Sequence, residues 1–280
     1  MTVQQAFDNF IRSRRVQGLT EKTVKNYMEF VAPYVAFVGT DSDIYVINKD
    51  LTYTYIENLQ RRKISKATVS TYVRHIKAFL RWIENEYDIS VSANKIKVPR
   101  TPKKVVHIYS DDEIKHIFDS VVGNEEWIVA RNRCIIALML DSGLRQNEVC
   151  TLMRCDVSYS ANTIKICGKG NKERVVPFGM IARKFMLEYD KLCPYEEDTF
   201  FVARRGGAMT CDSVKHFMSK LANKLPFKLS SHILRHNFAT NYCIDQLEKH
   251  GKVDIYSLMC LMGMKKLRLR KDIYILRIKL

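Results

Sequence analysis

The chain reads as a mainly α-helical protein in two parts, a wholly helical first part and a mostly helical second part that carries a small antiparallel β-sheet. Three observations predict this. Apolar residues before Ser92 recur at helical spacing. A run of prolines and cations then interrupts the pattern. One segment alone, Thr163 to Val176, switches to strand alternation about a glycine-rich turn. The chain has 280 residues, and at roughly 150 residues per domain the expectation is two domains.

In the first part, residues 1–91, Thr20 caps a helix that carries Val24, Tyr27, Val31, Tyr34 and Val38. A second helix from Thr68 to Glu86 carries Val69, Tyr72, Val73, Ile76, Phe79, Leu80 and Ile83 on one stripe. Its other face holds Arg74, Lys77 and Arg81, a basic surface expected to meet DNA. Residues 92–109 read as an extended basic linker with Lys95, Lys97, Pro99, Arg100, Pro102, Lys103 and Lys104, suited to pass close to a polyanion. Ser110 and Glu113 have the spacing of a capping box and open the second part, residues 110–280. There the apolar stretch Ile135–Leu140 ends at Asp141-Ser142-Gly143. Ile164 and Ile166 alternate with polar residues, Gly168-Lys169-Gly170-Asn171 turns the chain, and Val175-Val176-Pro177 returns it as a hairpin. A second basic turn, Arg204-Arg205-Gly206-Gly207, precedes a helix expected to begin near Thr210.

Charge narrows the function. Lys and Arg number 46 and Asp and Glu 30, a formal net charge of +16. Such an excess suits a polyanionic partner, nucleic acid first, because each phosphate contact releases counterions. Hydrophobic residues at 46% and charged residues at 27% are the composition of a globular protein with cores. No signal peptide and no bilayer-spanning apolar run is evident, so no membrane partner is expected. None of the eight cysteines has Cys-x-x-Cys spacing. They read as small core residues of a cytoplasmic protein associated with the nucleoid, and no metal site or cofactor is expected.

Three segments carry the chemistry: Ser142-Gly143-Leu144-Arg145-Gln146-Asn147-Glu148, Gly168 to Pro177, and Ser231-His232-Ile233-Leu234-Arg235-His236-Asn237-Phe238-Ala239-Thr240. In this order and spacing they resemble the tyrosine recombinase/integrase family. The match runs from about Ser110 to Gly263, and the helical first part resembles that family's core-binding domain. The resemblance implies a tyrosine-recombinase catalytic domain that cuts and rejoins double-stranded DNA through a 3′-phosphotyrosyl link, working as a homotetramer on two duplexes. Arg145 and Arg235 match the family's two phosphate-clamping arginines, a role suited to the planar guanidinium fork. Lys169 matches the lysine that protonates the departing 5′ oxygen. Lys172 and Arg174 are alternatives for that role, or contacts to the DNA backbone. His232 matches the histidine that assists proton transfer at the nucleophile, and His236 reads as structural.

The resemblance breaks after Leu261-Met262-Gly263. Met264 stands where the family has histidine, and a thioether cannot donate to phosphate. No Thr-Thr pair follows. Tyr274, the candidate nucleophile, lies eleven residues after Gly263, one beyond the family spacing. Back-translation of the stretch from Met264, with one C inserted before it and wobble bases chosen freely, reads His-Glu-Glu-Ile-Lys-Thr-Thr-Glu-Arg-Tyr. That is the family's pattern, with its tyrosine at the position of Ile273. The expectation is a one-base deletion after the Gly263 codon. Six residues after Tyr274 would then leave little of the C-terminal helix that resembling enzymes dock onto a neighbour. The alternative is a catalytically defective DNA-binding remnant of such an enzyme. A type IB topoisomerase shares the chemistry but is larger and works without a two-duplex assembly.

Overall fold

The computed structural model describes residues 1–101, 106–168 and 172–264 and divides into two compact units, Met1–Lys104 and Val105–Leu280. Four helices build the first: α1 (Val3–Val16), α2 (Glu21–Val38), α3 (Lys49–Arg61) and α4 (Lys66–Tyr87). Each begins where a side-chain oxygen satisfies an orphan backbone N–H. Thr2 accepts from Gln5, Thr20 from Thr23, Asn48 from Leu51 and Ser65 from Thr68. Thr20 is the cap expected from the sequence. Helix α4 starts earlier than expected, because Ser65 takes the cap and Thr68 is its donor. The stripes meet in an aromatic core. Phe10 packs edge-on to Phe79 at 5.3 Å and Tyr27 at 5.1 Å, and lies 5.6 Å from Trp82.

The basic face of α4 differs from the expectation. Arg74 is exposed, but Lys77 and Arg81 turn back onto their own chain. Lys77 Nζ donates to the carbonyls of Ile96 and Asn94, and Arg81 Nε donates to Asn94 Oδ1 at 3.0 Å. Burial, then the neighbouring Arg81 charge, lowers the Lys77 pKa. The expected linker is also shorter than the sequence suggested. Glu84 accepts the Ala93 N–H at 2.9 Å, and Ala93 and Ile96 are buried in the first core. Lys103 and Lys104 lie outside the described residues.

The second unit contains α5 (Asp111–Asp119), α6 (Glu126–Asp141), α7 (Gln146–Cys150), the three-stranded antiparallel sheet β1 (Val157–Ser158), β2 (Thr163–Gly168) and β3 (Lys172–Pro177), then α8 (Met180–Leu192), α9 (Cys211–Ala222), α10 (Ser231–His250) and α11 (Ile255–Leu261). The Ser110–Glu113 capping box forms in both directions, at 3.2 and 2.9 Å. The expected hairpin is β2–β3, with Ile164 opposite Val176 and both buried. Gly206 and Gly207 take positive φ angles, as their turn needs, and Thr210 caps α9. Residues Cys134 to Met139 of α6 are buried throughout, so this helix forms the centre of the core. The cysteines are less uniform than expected: Cys134, Cys150 and Cys243 are buried, but Cys155, Cys167 and Cys260 are exposed. Cys193 and Cys211 are partly buried and pack against the core of the second unit. Among the described residues, no helix is long and apolar enough to cross a membrane.

Candidate active site

Arg145 sits at the N-cap position of α7, just after the turn that ends α6. That turn is Gly143, at φ +61°, where a Cβ would fall 2.3 Å from the Phe238 ring. Only glycine allows both the left-handed turn and the close approach of α10. The turn is tied down on either side. Ser142 Oγ donates to the Pro177 carbonyl at 3.0 Å, and Asp141 accepts the Gly179 N–H. The Gly143 carbonyl accepts from Arg235 Nη1, so the turn that presents one arginine also holds the other.

Arg235 lies in the second turn of α10. Ser230 caps that helix, its side chain accepting the Ile233 N–H. The helix is anchored by Asn237, which is fully buried. Its Oδ1 accepts the Tyr109 N–H at 2.7 Å, and its Nδ2 donates to the carbonyls of His107 and Ile233 at 3.0 and 2.9 Å. The segment leading into the second unit is thereby pinned beside Arg235.

A third arginine, Arg174 on β3, completes the cluster, and all three surround Glu148. Glu148 Oε1 accepts from Arg145 Nη1 at 2.7 Å and Arg174 Nη1 at 2.8 Å. Its Oε2 accepts from the Arg145 backbone N–H and Arg174 Nη2, both at 2.8 Å, and lies 3.9 Å from Arg235 Nη1. The Glu148 side chain is 4% exposed. Burial alone would raise its pKa, but hydrogen bonds and charge from Arg174 and Arg145 hold it at about 2.

The C-terminal end of α11 closes the site. Helix ends leave carbonyls without intrahelical partners, and here the arginines supply the donors. Leu261 accepts from Arg174 Nε at 2.8 Å. Met262 accepts from Arg145 Nη2 at 2.8 Å and from Arg235, and Gly263 accepts from Arg145 Nη2 at 2.9 Å. Gly263 has φ +55°, and a Cβ there would sit 3.1 Å from Arg174 Nη1 and 3.3 Å from Arg145 Nη1. Three guanidiniums against one carboxylate leave a positive excess. Arg235 feels it most: burial, then the Arg145 charge, pulls its pKa down to about 10, with Glu148 opposing and Arg174 adding to the fall. It remains a cation at neutral pH, desolvated and without a close carboxylate.

Among the residues predicted from sequence, Arg145, Arg174 and Arg235 come together. His232 is exposed in the first turn of α10, and His236 is exposed one residue beyond Arg235. Met264 is partly exposed, and its N–H is bonded to the Met259 carbonyl. The backbone of Lys172 opens β3. Lys169 and Tyr274 lie outside the described residues. The sequence reading missed Glu148 and Asn237. The signal for Glu148 was its spacing from Arg145, N-cap to third helical position, where a carboxylate reaches back to the cap N–H. Asn237 carried no comparable signal.

Known proteins agree with this architecture. The phage integrase family profile matches residues 108–268, and that of the phage integrase N-terminal SAM-like domain matches residues 7–86. The tyrosine recombinase XerC of Rhizobium meliloti (strain 1021) is 29% identical over 237 residues, covering 82% of this chain and 74% of that protein. The Tn1549 transposon integrase in complex with circular intermediate DNA superposes with a TM-score of 0.75 at 16% identity, over 98% of this chain and 95% of that one. A lambda integrase tetramer bound to a Holliday junction gives a TM-score of 0.75 at 15% identity, over 96% of this chain and 79% of that one. At these identities the two structures speak for the fold. The catalytic-domain profile alone spans more than half of the 280 residues, and the chain belongs to the phage integrase family, the tyrosine recombinases that cut and rejoin DNA at specific sites.

Proposed function

We propose that this chain grips a phosphodiester of duplex DNA between Arg145 and Arg235 and exchanges its strands by transesterification. The observation that carries this is the positive excess around Glu148, with Arg235 buried and answered only by neutral carbonyls at close range. Phosphoryl transfer builds charge on the non-bridging oxygens, and fixed cations in a desolvated site stabilise it. A tyrosine hydroxyl, Tyr274 in this chain, attacks phosphorus; the P–O5′ bond breaks, leaving a 3′-phosphotyrosine and a 5′ hydroxyl. A 5′ hydroxyl from the partner strand reverses the step, so the bond energy stays in the covalent link. Lys169 protonates the departing oxygen and His232 assists at the nucleophile, following the family resemblance. The arginines supply the charge, so the reaction needs no metal or nucleotide cofactor.

Arg74, Lys77, Arg81, Lys103, Lys104 and Lys172 form the expected basic contacts to the DNA, whereas Arg174, expected among them, spends its donors on Glu148 and Leu261. For Lys77 and Arg81 the bonds to residues 94–96 make that an indirect role, shaping the surface beside Arg74. The assembly is a homotetramer on two duplexes, by analogy with the lambda integrase tetramer, in the cytoplasm at the nucleoid. Affinity for duplex DNA is expected to fall steeply with salt, log affinity dropping by about 0.9 per phosphate neutralised for each tenfold rise in salt. Salt-independent binding, or none at low salt, would count against the reading.

A second reading, binding without strand transfer, is favoured by Met264 in the histidine position and by the register of Tyr274, since one residue on a helix rotates a side chain by about 100°. A nicked duplex separates the two. This chain is expected to give much less covalent protein–DNA complex than a version with the reading frame restored after Gly263. Equal yields, lost from this chain on Tyr274→Phe, would make Tyr274 a working nucleophile and remove the second reading.

A further inference from the structure

Arg174 was expected to touch DNA, yet its donors face inward. Its side chain is 11% exposed, against 38% for Arg145. Its two Nη groups take both oxygens of Glu148 at 2.8 Å in a bidentate pair, and its Nε takes the Leu261 carbonyl at 2.8 Å. Its charge is therefore matched by a carboxylate in direct contact. Arg235 is equally buried, but its Nη groups meet only the carbonyls of Gly143 and Met262, and Glu148 stands 3.9 Å away. Arg145 shares that one carboxylate through Nη1 at 2.7 Å, so the positive excess of the cluster falls mainly on Arg235.

We infer that Arg174 is a positioning residue of this site, which holds Glu148 and the end of α11 so that Arg145 and Arg235 keep the spacing and the unneutralised charge a phosphate requires. The inference rests on the phosphate-clamp reading above. Arg174 ties three stretches distant in sequence: β3, α7 through Glu148, and α11 through Leu261. Glu148 has two donors from Arg174 and two from Arg145. Without Arg174 the carboxylate loses the two donors that orient it away from Arg235, and the 3.9 Å gap closes. A close Glu148–Arg235 pair would then neutralise the cation meant for the substrate. The Leu261 carbonyl would lose its donor too, loosening the chain reversal at Gly263, which packs on Arg174 and Arg145. Lysine cannot substitute, because one ammonium on a flexible stem does not reproduce a planar fork that serves both carboxylate oxygens and a carbonyl.

The test uses the full chain, inorganic phosphate as the probe of the clamp, and a duplex titrated across salt concentrations. Folding of each variant is checked by circular dichroism. Arg174→Ala and Arg174→Lys are both expected to weaken phosphate binding about tenfold, while the salt slope of duplex binding stays within a few tenths of the parent value. A direct DNA contact would behave oppositely: the slope of Arg174→Ala would drop by about 0.9 with phosphate affinity unchanged, and the inference would be overturned. Parental phosphate affinity in a folded Arg174→Lys would overturn it as well, even if the alanine variant did not fold. Arg145→Ala and Arg235→Ala serve as references. If they bind phosphate as the parent does, the clamp reading itself fails. If they lose it and the Arg174 variants do not, only this inference fails.

Discussion

Replacing Arg235 or Arg145 with alanine is expected to lower strand cleavage at least a hundredfold while leaving duplex binding largely intact. The two guanidiniums carry the charge that no carboxylate neutralises fully, and the need for that charge peaks in the transition state. By analogy with the loss of one oxyanion-hole donor, each substitution costs about 3 kcal/mol of transition-state stabilisation. Ground-state affinity depends instead on many phosphate contacts spread over a chain of net charge +16, of which one is a small share. Arg235→Ala carries a further structural cost that Arg145→Ala does not. It removes the arginine donor of the buried Gly143 carbonyl, whereas Met262 keeps one arginine donor whichever of the two is replaced, and Arg145 is itself 38% exposed. The measurement is single-turnover formation of the covalent complex on a nicked duplex, in the frame-restored chain, beside equilibrium binding of the same variants. Wild-type cleavage by either variant would place that arginine outside the active site.

What could be read in advance follows a physical rule. Features set by near neighbours in sequence were visible: the Ser110–Glu113 box, the Thr20 cap, the helix start near Thr210, the glycine turn before Arg145 and the β2–β3 hairpin all rest on local side chains or backbone. Features set by distant partners were not. Glu148 reads from sequence as an acidic residue in the first turn of a short helix, and its role comes from Arg174, 26 residues on. The α4 cations show the same limit. Periodicity identifies which face of a helix is polar but not what meets it, and Lys77 and Arg81 meet the carbonyls and side chain of residues 94–96. Asn237 escaped notice because a buried amide serving the backbone of residues 107 and 109 leaves no pattern in the linear chain. Arg145 and Arg235, proposed here to clamp phosphate, were singled out only because three segments in order resembled a known family. Nothing in the spacing of Arg145 and Arg235, ninety residues apart, predicts that they meet.

Glu148→Gln is expected to be the most destabilising single change in the cluster, at roughly 3–5 kcal/mol, the usual cost of removing one partner from a buried ion pair. The amide keeps the shape of the carboxylate but turns an N–H₂ towards guanidiniums that need an acceptor, and it leaves Arg174, Arg145 and Arg235 facing one another without an anion. The effect carries a pH signature. The folded pKa of Glu148, about 2, lies below its ordinary value of 4.5. The charged carboxylate therefore stabilises the fold fully above pH 4.5, and this contribution is lost as the pH falls towards 2. A fall in pKa of that size corresponds to about 3 kcal/mol, of which about 2 kcal/mol is already gone at pH 3. Glutamine has no such titration, so the stability gap between the parent and Glu148→Gln should be widest near neutral pH and shrink steadily below pH 4.5. Urea denaturation of both proteins at pH 7 and pH 3 measures the gap at each end. A gap that stays constant would mean that the carboxylate is not held ionised by its arginines, and the electrostatic account of the site would have to be abandoned.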